Sequence, residues 1–518
     1  MKIARTKNAV KNISVGIVLR LYQMIIPFLM RTAMIHFMGV QYLGLNSLFS
    51  SILHVLNLAE MGVGIAMVYS MYKPIAEDDH QAICALMGLY RKYYRIIGLV
   101  IGAAGLLLTP FVPRLISGEV PGELNIQTLY LMNLSVTVFS YWLFAYKNCL
   151  LQAHQRLDIA NIIVIITYTA EYVLQLAVII WLKNYYLYVL VKLATTIANN
   201  LITAAVVNRK FPQYKPAGSL PEDKVKVINQ KVRDLFTGKL GSVVLSSADN
   251  LVISAFLGLS VLAVYQNYYF ILGAVLAMVE MILGSITAGL GNSFVTETRE
   301  KNFRDLQKFT FMFTWLTGVC TCCFLGMYQP FMEIWVGQEL MLGYGEVICF
   351  ALYFFELSLY RLLNIYKDAA GLWHIDRFRP LVSAMINLVL NLLTVRWLGL
   401  VGVILSTVVS QVFVGYPWLL RNLFTQFFKK EDLQVFLRKM LSSGAVVAVS
   451  AVMVGFICNY LPGNSWLRMI CGALVALIVS NGLYFLVFRK DERFRQSVKF
   501  ADRMTKKRLR LEARLFRG

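Results

Sequence analysis

Unbroken apolar runs of about twenty residues recur from one end of this 518-residue chain to the other. A helix needs about 20 apolar residues to cross the hydrocarbon core of a bilayer. Strands of a membrane barrel alternate apolar and polar residues over roughly ten positions, and these runs do not alternate. Charged residues make up 15% of the chain, against about 25% in soluble proteins. The sequence therefore predicts an all-α polytopic membrane protein.

The apolar pattern predicts about 14 transmembrane helices. With the N-terminus inside, the predicted cytoplasmic segments hold 42 Lys and Arg residues, whereas the outer segments hold four. Cytoplasmic loops of membrane proteins are enriched in Lys and Arg, so both termini are expected in the cytoplasm. The same enrichment explains most of the net charge of +22, which in a soluble protein would indicate nucleic-acid binding. The predicted spans are 12–38, 44–71, 93–116, 126–150, 158–182, 185–208, 236–257, 260–291, 309–332, 346–369, 379–397, 399–426, 440–460 and 466–488.

A weak internal repeat divides the chain near its middle. The segment that begins "FMGVQYLGLN" at Phe37 matches the one that begins "FLGLSVLAVY" at Phe256, and E-M-x-x-G at Glu60 recurs at Glu280. These offsets of 219–220 predict two parallel six-helix repeats around a central cavity, plus two C-terminal helices. The predicted parts are an N-terminal six-helix bundle (1–208), a cytoplasmic linker (209–235), a C-terminal six-helix bundle (236–428), two additional spans (429–488) and a basic cytoplasmic tail (489–518).

Two arginines, Arg20 and Arg31, lie inside the first predicted span, "GIVLRLYQMIIPFLMRTAMIHF". In a helix of about 3.6 residues per turn they lie about three turns apart, so they share one face within about 20° and are separated by about 16 Å along the axis. Pro27 lies between them and is predicted to be a hinge, because proline removes a helical hydrogen bond. Charged groups are costly in a bilayer and usually mark function or pairing.

Further ionisable residues lie deep in other predicted spans, and two interpretations are open. They pair across helices as structural ion pairs, as expected above all for Glu356 and Arg361, or they line a mainly cationic, water-filled cavity. The second interpretation predicts an anionic substrate such as a diphosphate, which arginine binds through two hydrogen bonds. It assigns diphosphate binding to Arg20, Arg31, Lys192 and Lys239, and ion coupling to Glu60, Glu171, Asp249 and Glu280.

Motifs for nucleotides, metals and catalysis are not evident. "TGKL" at 237–240 lacks the upstream glycine of a phosphate-binding loop, and "EDDH" at 77–80 lacks metal-ligand spacing. No cofactor, metal site or catalytic residue is therefore predicted. A membrane polysaccharide polymerase is disfavoured, because no predicted outer loop exceeds roughly twenty residues. "YYLY" at 185–188 is predicted to lie in an interfacial aromatic belt, while "YQNYYF" at 265–270 is left open.

Three segments resemble a known family: "LNLAEMGVGIAMVYSMYKPIAEDD" (56–79), the "FMGVQYLGLNSLF" before it, and "SSADNLVISAFLGLSVLAVYQNYY" in the second half. They are similar to bacterial polysaccharide repeat-unit flippases, the Wzx-type members of the multidrug/oligosaccharidyl-lipid/polysaccharide exporter (MOP) superfamily. The resemblance covers nearly the whole chain. It implies two six-helix bundles around a cavity and a multi-pass protein of the bacterial inner membrane.

The resemblance also implies a function. We expect ion-coupled alternating access that moves undecaprenyl-diphosphate-linked oligosaccharide across the membrane for capsule, O-antigen or exopolysaccharide assembly. The expected partners are this lipid-linked oligosaccharide, protons or sodium ions, and polysaccharide polymerases or glycosyltransferases. An ion-coupled multidrug exporter or a peptidoglycan lipid-precursor flippase of the same superfamily stays open as an alternative, although multidrug exporters favour carboxylates in the cavity.

Overall fold

The computed structural model describes residues 5–118 and 120–504, and these residues are mostly helical. The all-α fold class predicted from the sequence is confirmed. The helices described before residue 258 are α1 (Arg5–Phe37), α2 (Val40–Leu56), α3 (Val63–Ala76), α4 (His80–Leu108), α5 (Ile126–Trp142), α6 (Asn148–Ala153), α7 (Leu157–Ala177), α8 (Tyr185–Lys210) and α9 (Glu222–Leu257). The described helices that follow are α10 (Leu259–Thr296), α11 (Arg299–Val336), α12 (Tyr344–Ala369), α13 (Trp373–Asp376), α14 (Arg379–Ser410), α15 (Tyr416–Gln426), α16 (Asp432–Asn459), α17 (Ser465–Phe488) and α18 (Glu492–Met504).

Eleven helices within the described residues are long and apolar enough to cross a membrane, and twelve if Ile126–Trp142 and Ala145–Ala153 form one bent span. The sequence predicts two more for identifiable reasons. The predicted span 44–71 is interrupted, so that it forms the two shorter helices α2 and α3. Two further predicted spans form one 54-residue run, Trp373–Gln426, which leaves helical geometry at Gly399 (φ 56°, ψ −133°). Counting α2 and α3 together as one span, and the 54-residue run as two, raises the twelve to the fourteen predicted spans.

The interruption between α2 and α3 coincides with a close approach of α9. Asn57–Glu60 form a 3₁₀ turn, and Gly62 has a φ of 105°, which residues with a side chain rarely adopt. A Cβ atom at Gly62 would lie 2.8 Å from the Cβ of Leu235 and 3.1 Å from the carbonyl oxygen of Val232, both in α9. Glu60 therefore lies where the backbone is not α-helical.

Contacts divide the chain into two compact units, 1–266 (unit 1) and 267–518 (unit 2). Because α9 packs against α2 and α3, the whole of α9 belongs to unit 1. Residues 222–235 of the predicted linker are the beginning of α9, so the connection between α8 and α9 is short. The predicted bundles, linker and tail stay predictions.

The predicted repeat has structural counterparts. Gly39 and Gly258 match each other at the repeat offset, and they follow α1 and α9. Both have positive φ values, 117° and 92°, and extended ψ values, 161° and 172°. The connections after the first and seventh predicted spans therefore share one unusual backbone conformation, which glycine adopts most readily.

A second match lies where the fourth and tenth predicted spans end. The buried Lys147 donates to the Asn208 side-chain oxygen over 2.6 Å, whereas the buried Lys367 pairs with Asp368 over 2.5 Å and lies 3.7 Å from Asp376. The two positions thus keep a buried lysine but give it partners of different charge. The matched residues, at an offset of 220, are Tyr146, Lys147 and His154 in the first half and Tyr366, Lys367 and His374 in the second.

In unit 2, α11 is the helix around which α12, α16, α17 and α18 pack. A Cβ atom at Gly326 of α11 would lie 2.9 Å from the carbonyl oxygen of Gly472 in α17, so the two backbones touch. The Trp315 indole N–H donates to the Asn481 side-chain oxygen over 3.1 Å and stacks on Tyr484. The two C-terminal spans are therefore part of the core of unit 2.

The predicted basic tail begins as a helix. Phe494 and Val498 of α18 are buried against Phe311 of α11 and Phe488 of α17. The remainder of the predicted tail, 505–518, lies outside the described residues.

Candidate functional site

A polar cluster in unit 1 brings together three of the residues predicted from the sequence. Helix α7 packs against both α1 and α8 and thereby connects Arg31 of α1, Glu171 of α7 and Lys192 of α8. All three side chains are partly buried. Lys192 interacts electrostatically with Glu171, and Arg31 interacts with the hydroxyl group of Tyr188. Inside the membrane-spanning part of unit 1, each basic side chain therefore lies near either a hydroxyl group or a carboxylate.

Hydrogen bonds hold the acidic member of this cluster in place. The buried Thr195 hydroxyl donates to Oε2 of Glu171 over 3.0 Å. Tyr188, one turn before Lys192 on α8, lies near the same carboxylate. A carboxylate that accepts hydrogen bonds near a lysine keeps a fixed orientation. Glu171 therefore offsets part of the charge of Lys192.

Tyrosines surround the cluster, and the positions of two of them differ from the interfacial positions predicted from the sequence. Tyr185 and Tyr188, expected in an interfacial belt, are buried and stack with ring centroids 5.5 Å apart. The interfacial prediction was wrong for these two, because their rings are enclosed within unit 1, where Tyr185 also packs edge-on against Tyr42 of α2. The Tyr22 hydroxyl lies 3.0 Å from the Thr169 hydroxyl, and the Tyr22 ring packs near Tyr172. These rings give the space around α1 and α7 an amphipathic lining.

Arg20 is separated from the Arg31 cluster. Its side chain is exposed, although the spacing puts both arginines on nearly the same face of α1. Helix α1 continues through Pro27 as one helix from Arg5 to Phe37. The diphosphate-binding role of Arg20 and the hinge role of Pro27 stay predictions.

Glu60 lies in a second polar cluster of unit 1. The Tyr90 hydroxyl donates to the Tyr94 hydroxyl over 2.6 Å, and the Tyr94 hydroxyl donates to Oε1 of Glu60 over 3.1 Å. Tyr141 donates to the side-chain oxygen of Asn57, which begins the 3₁₀ turn that carries Glu60. The exposed Lys239 of α9 interacts electrostatically with Glu60. The sequence predicts ion coupling for Glu60 and diphosphate binding for Lys239. The structure brings these two residues together in one site.

Asp249 lies in α9, which packs against α2. It is buried in α9, where polar contacts connect this helix to α2. The side-chain amide N–H of Asn250 donates to the Ser51 hydroxyl over 2.8 Å, and Nδ1 of His54 lies 3.1 Å from the Ser247 hydroxyl. Asp249 thus belongs to a polar helix–helix interface, and its coupling role stays a prediction.

In unit 2, Glu280 of α10 pairs with Arg361 of α12. The predicted pair of Glu356 with Arg361 is wrong, because residues five apart on a helix are separated by about 140° around its axis. Glu280 matches Glu60 at the repeat offset, and Arg361 matches Tyr141 at the same offset. Both halves thus have a glutamate at this position. The glutamate lies among tyrosines in unit 1 and pairs with an arginine in unit 2.

The Glu280–Arg361 pair should contribute to the stability of unit 2. We expect Glu280→Gln to lower the free energy of unfolding by about 1–3 kcal/mol, because it leaves a half-buried guanidinium without its carboxylate. Adding Arg361→Gln should restore most of the loss. Melting temperatures of the single and double variants measure the coupling. The exposed pair of Glu300 and Lys429, with N···O 2.8 Å, is the control and should contribute at most about 1 kcal/mol. Equal effects for the two pairs would contradict the assignment.

No protein-family model matches the chain, and no curated protein sequence matches it significantly. Solved structures do. The lipid II flippase MurJ in an inward closed conformation superposes with a TM-score of 0.67 at 12% identity, over 92% of this chain and 99% of MurJ. An inward-facing multidrug resistance MATE family transporter of the MOP superfamily gives a TM-score of 0.55 at 14% identity, over 81% and 99%. A mutant of the Vibrio cholerae MATE transporter VcmN gives 0.55 at 15%, over 82% and 98%.

The fold is that of the MurJ and MATE transporters. The superposition on MurJ covers 92% of this chain, against 81–82% for the two MATE structures. At these identities the comparison establishes only the architecture. The substrate has to be inferred from the chemistry of the polar clusters.

Proposed function

We propose that the chain is a flippase that moves undecaprenyl-diphosphate-linked oligosaccharide repeat units across the bacterial inner membrane for surface polysaccharide assembly. The observation that carries the proposal is the partly buried cluster of Arg31, Lys192 and Glu171 within membrane-spanning helices. Two of the three groups are basic, and basic groups enclosed by membrane-spanning helices suit an anionic load.

The diphosphate is the part of the substrate that these residues would recognise. Arg31 offers a planar guanidinium that binds phosphate oxygens through two hydrogen bonds, and Lys192 offers a point charge. Nearby tyrosine rings, Tyr22 and Tyr172, offer faces for sugar rings. Arg20, exposed nearer the start of α1, would make an earlier contact than Arg31.

Proton coupling would act through Glu60 and Lys239. While Glu60 is ionised, its charge offsets that of Lys239. Once Glu60 takes up a proton, Lys239 is released to attract the diphosphate. Binding of a proton at Glu60 and of an anionic substrate near Lys239 are then energetically linked, and the linkage is reciprocal. Glu280, held by Arg361, is the less suitable carboxylate for this role.

The proposed orientation rests on the distribution of Lys and Arg, which favours both termini in the cytoplasm. The flippase would then receive its load from glycosyltransferases on the cytoplasmic side and deliver it to a polymerase outside. The structure of MurJ, a lipid II flippase, has the same fold and keeps a peptidoglycan precursor as the second candidate substrate. MATE transporters make a multidrug exporter the third, which the excess of cations in the Arg31 cluster disfavours.

Flipping by the purified full-length protein in vesicles tests the proposal. We expect translocation of a polyprenyl-diphosphate-linked oligosaccharide, weaker translocation of the monophosphate analogue, and none of a cationic drug. Faster movement of lipid II than of any tested repeat unit would favour the second candidate. Transport of cationic drugs without lipid flipping would refute the proposal.

A further inference from the structure

Glu356 of α12 is a carboxyl group enclosed in unit 2. Its side chain is 5% exposed, and neither carboxyl oxygen has a hydrogen-bond partner among the described residues. An ionised carboxylate in such a place is very unfavourable, because within residues 5–118 and 120–504 no N–H group, hydroxyl group or cation is bonded to it to replace its lost hydration. The surroundings therefore favour the neutral acid.

The titratable and charged groups near Glu356 come from three helices. The Tyr416 hydroxyl of α15 donates to the backbone oxygen of Glu356 over 2.8 Å and so leaves the carboxyl group unbound. Tyr360 lies one turn further along α12, and its ring packs near Tyr416. The two nearby arginines are engaged elsewhere: Arg361 with Glu280 of α10, and Arg379 of α14 with Asp376.

The backbone opposite these tyrosines is irregular. Gln411–Gly415 form a π-helical turn between α14 and α15, and such turns are frequent at functional sites. The Gln411 side-chain oxygen is also buried without a hydrogen-bond partner in the described part of the chain. A Cβ atom at Gly415 would lie 3.1 Å from the Tyr360 hydroxyl and would overlap the Gln411 oxygen. The Glu356 carboxyl group and the Gln411 side-chain oxygen thus both lie near Tyr360 and Tyr416. At this place the π-helical turn interrupts the regular helix.

We propose that Glu356 is a proton-binding site of unit 2 and that the π-helical turn Gln411–Gly415 opens to give this carboxyl group access to water. As the neutral acid, Glu356 is compatible with the closed packing of α12 and α15. When its O–H bond breaks, the proton passes to water and the carboxylate keeps the bonding electrons. The resulting charge requires hydration, so release of the proton and opening of the turn are coupled.

This site is separate from Glu60, which lies in unit 1. Its role in driving transport rests on the proposed function, whereas proton binding itself does not. In a Glu60→Gln variant the flipping rate should therefore still depend on bulk pH, equal on both sides of the membrane, although a pH gradient no longer accelerates it.

Infrared spectroscopy of the full-length protein in lipid vesicles tests proton binding without any substrate. We expect the carbonyl band of a protonated carboxylic acid at neutral pH in the wild type, and its loss in Glu356→Gln. Glu280→Gln is the matched control and should keep the band, because Glu280 is paired with Arg361. If Glu356→Gln does not fold, Glu356→Asp should instead shift the band.

The remaining outcomes are decisive as well. Absence of a band that depends on Glu356 would overturn the proposal, and loss of the band on adding sodium chloride would show a sodium site instead. In flipping assays, Glu356→Gln should reduce the pH dependence of the rate at least fivefold while leaving the melting temperature unchanged. A normal band together with no flipping of any diphosphate-linked lipid would refute the proposed function and leave the proton site intact.

Discussion

Replacing Arg31 by alanine should nearly abolish flipping while the protein still folds. A hydrogen bond to a charged group contributes about 1.5–3 kcal/mol, so the rate at limiting substrate should fall roughly 10- to 150-fold. Arg31→Lys keeps the charge but loses the paired geometry of the guanidinium, so its flipping rate should fall by less than about tenfold. The measurement is flipping of a diphosphate-linked oligosaccharide in vesicles, with membrane abundance and melting temperature recorded in parallel.

Arg20→Ala is the matched comparison, since Arg20 is an exposed arginine on the same helix. We expect a smaller loss that is limited to substrate loading. If Arg31 served only to hold α1 against its neighbours, Arg31→Ala would lower the melting temperature, and flipping would fall only in proportion to the folded protein. Normal flipping in a well-folded Arg20→Ala/Arg31→Ala double variant would exclude the diphosphate-binding role.

Replacing Glu60 by glutamine should uncouple transport from the proton gradient. Glutamine still accepts a hydrogen bond from Tyr94 but cannot offset Lys239, so the protein resembles the permanently protonated state. Coupling between two sites typically amounts to about 1–3 kcal/mol, which predicts an apparent substrate affinity roughly 5- to 150-fold higher. Flipping with and without a pH gradient should then proceed at the same slow rate, limited by release.

The tyrosines provide the control for this experiment. Tyr94→Phe removes one hydrogen bond from Glu60 but leaves Lys239 in place. We expect it to shift the pH dependence of transport without removing it. A Glu60→Gln variant that the gradient still stimulates as strongly as the wild type would show that Glu60 has no part in coupling.

The membrane fold was predictable because apolar runs are a direct requirement of the bilayer. Breaks in the helices were less predictable. The α5–α6 bend of 46° is centred on Phe144, whose φ of 60° is unusual for a residue with a side chain, and no glycine or proline marks it. The break before Gly62 had a local signal in "EMGVG", but its cause is the approach of α9, a contact between distant residues.

The polar residues were identified from the sequence one by one, and their partners were not. Arg31, Glu171 and Lys192 lie on three helices, so only tertiary packing shows that they form one cluster. The Tyr90–Tyr94–Glu60 chain was missed because tyrosines in spans are also typical of membrane interfaces. The spacing of Tyr90 and Tyr94, four residues on one helical face, was the available signal.

Synthesis places α11 in the membrane long before α17, its partner at the Gly326–Gly472 contact, has left the ribosome. Until then the face of α11 that carries Gly326 and the buried Cys322, which packs against Ala476 of α17, meets lipid or temporary neighbours. Assembly of unit 2 is therefore completed only by the last span of the chain. A nascent chain that stops before Ser465 would leave this face uncovered, which is the kind of surface that membrane chaperones and proteases recognise.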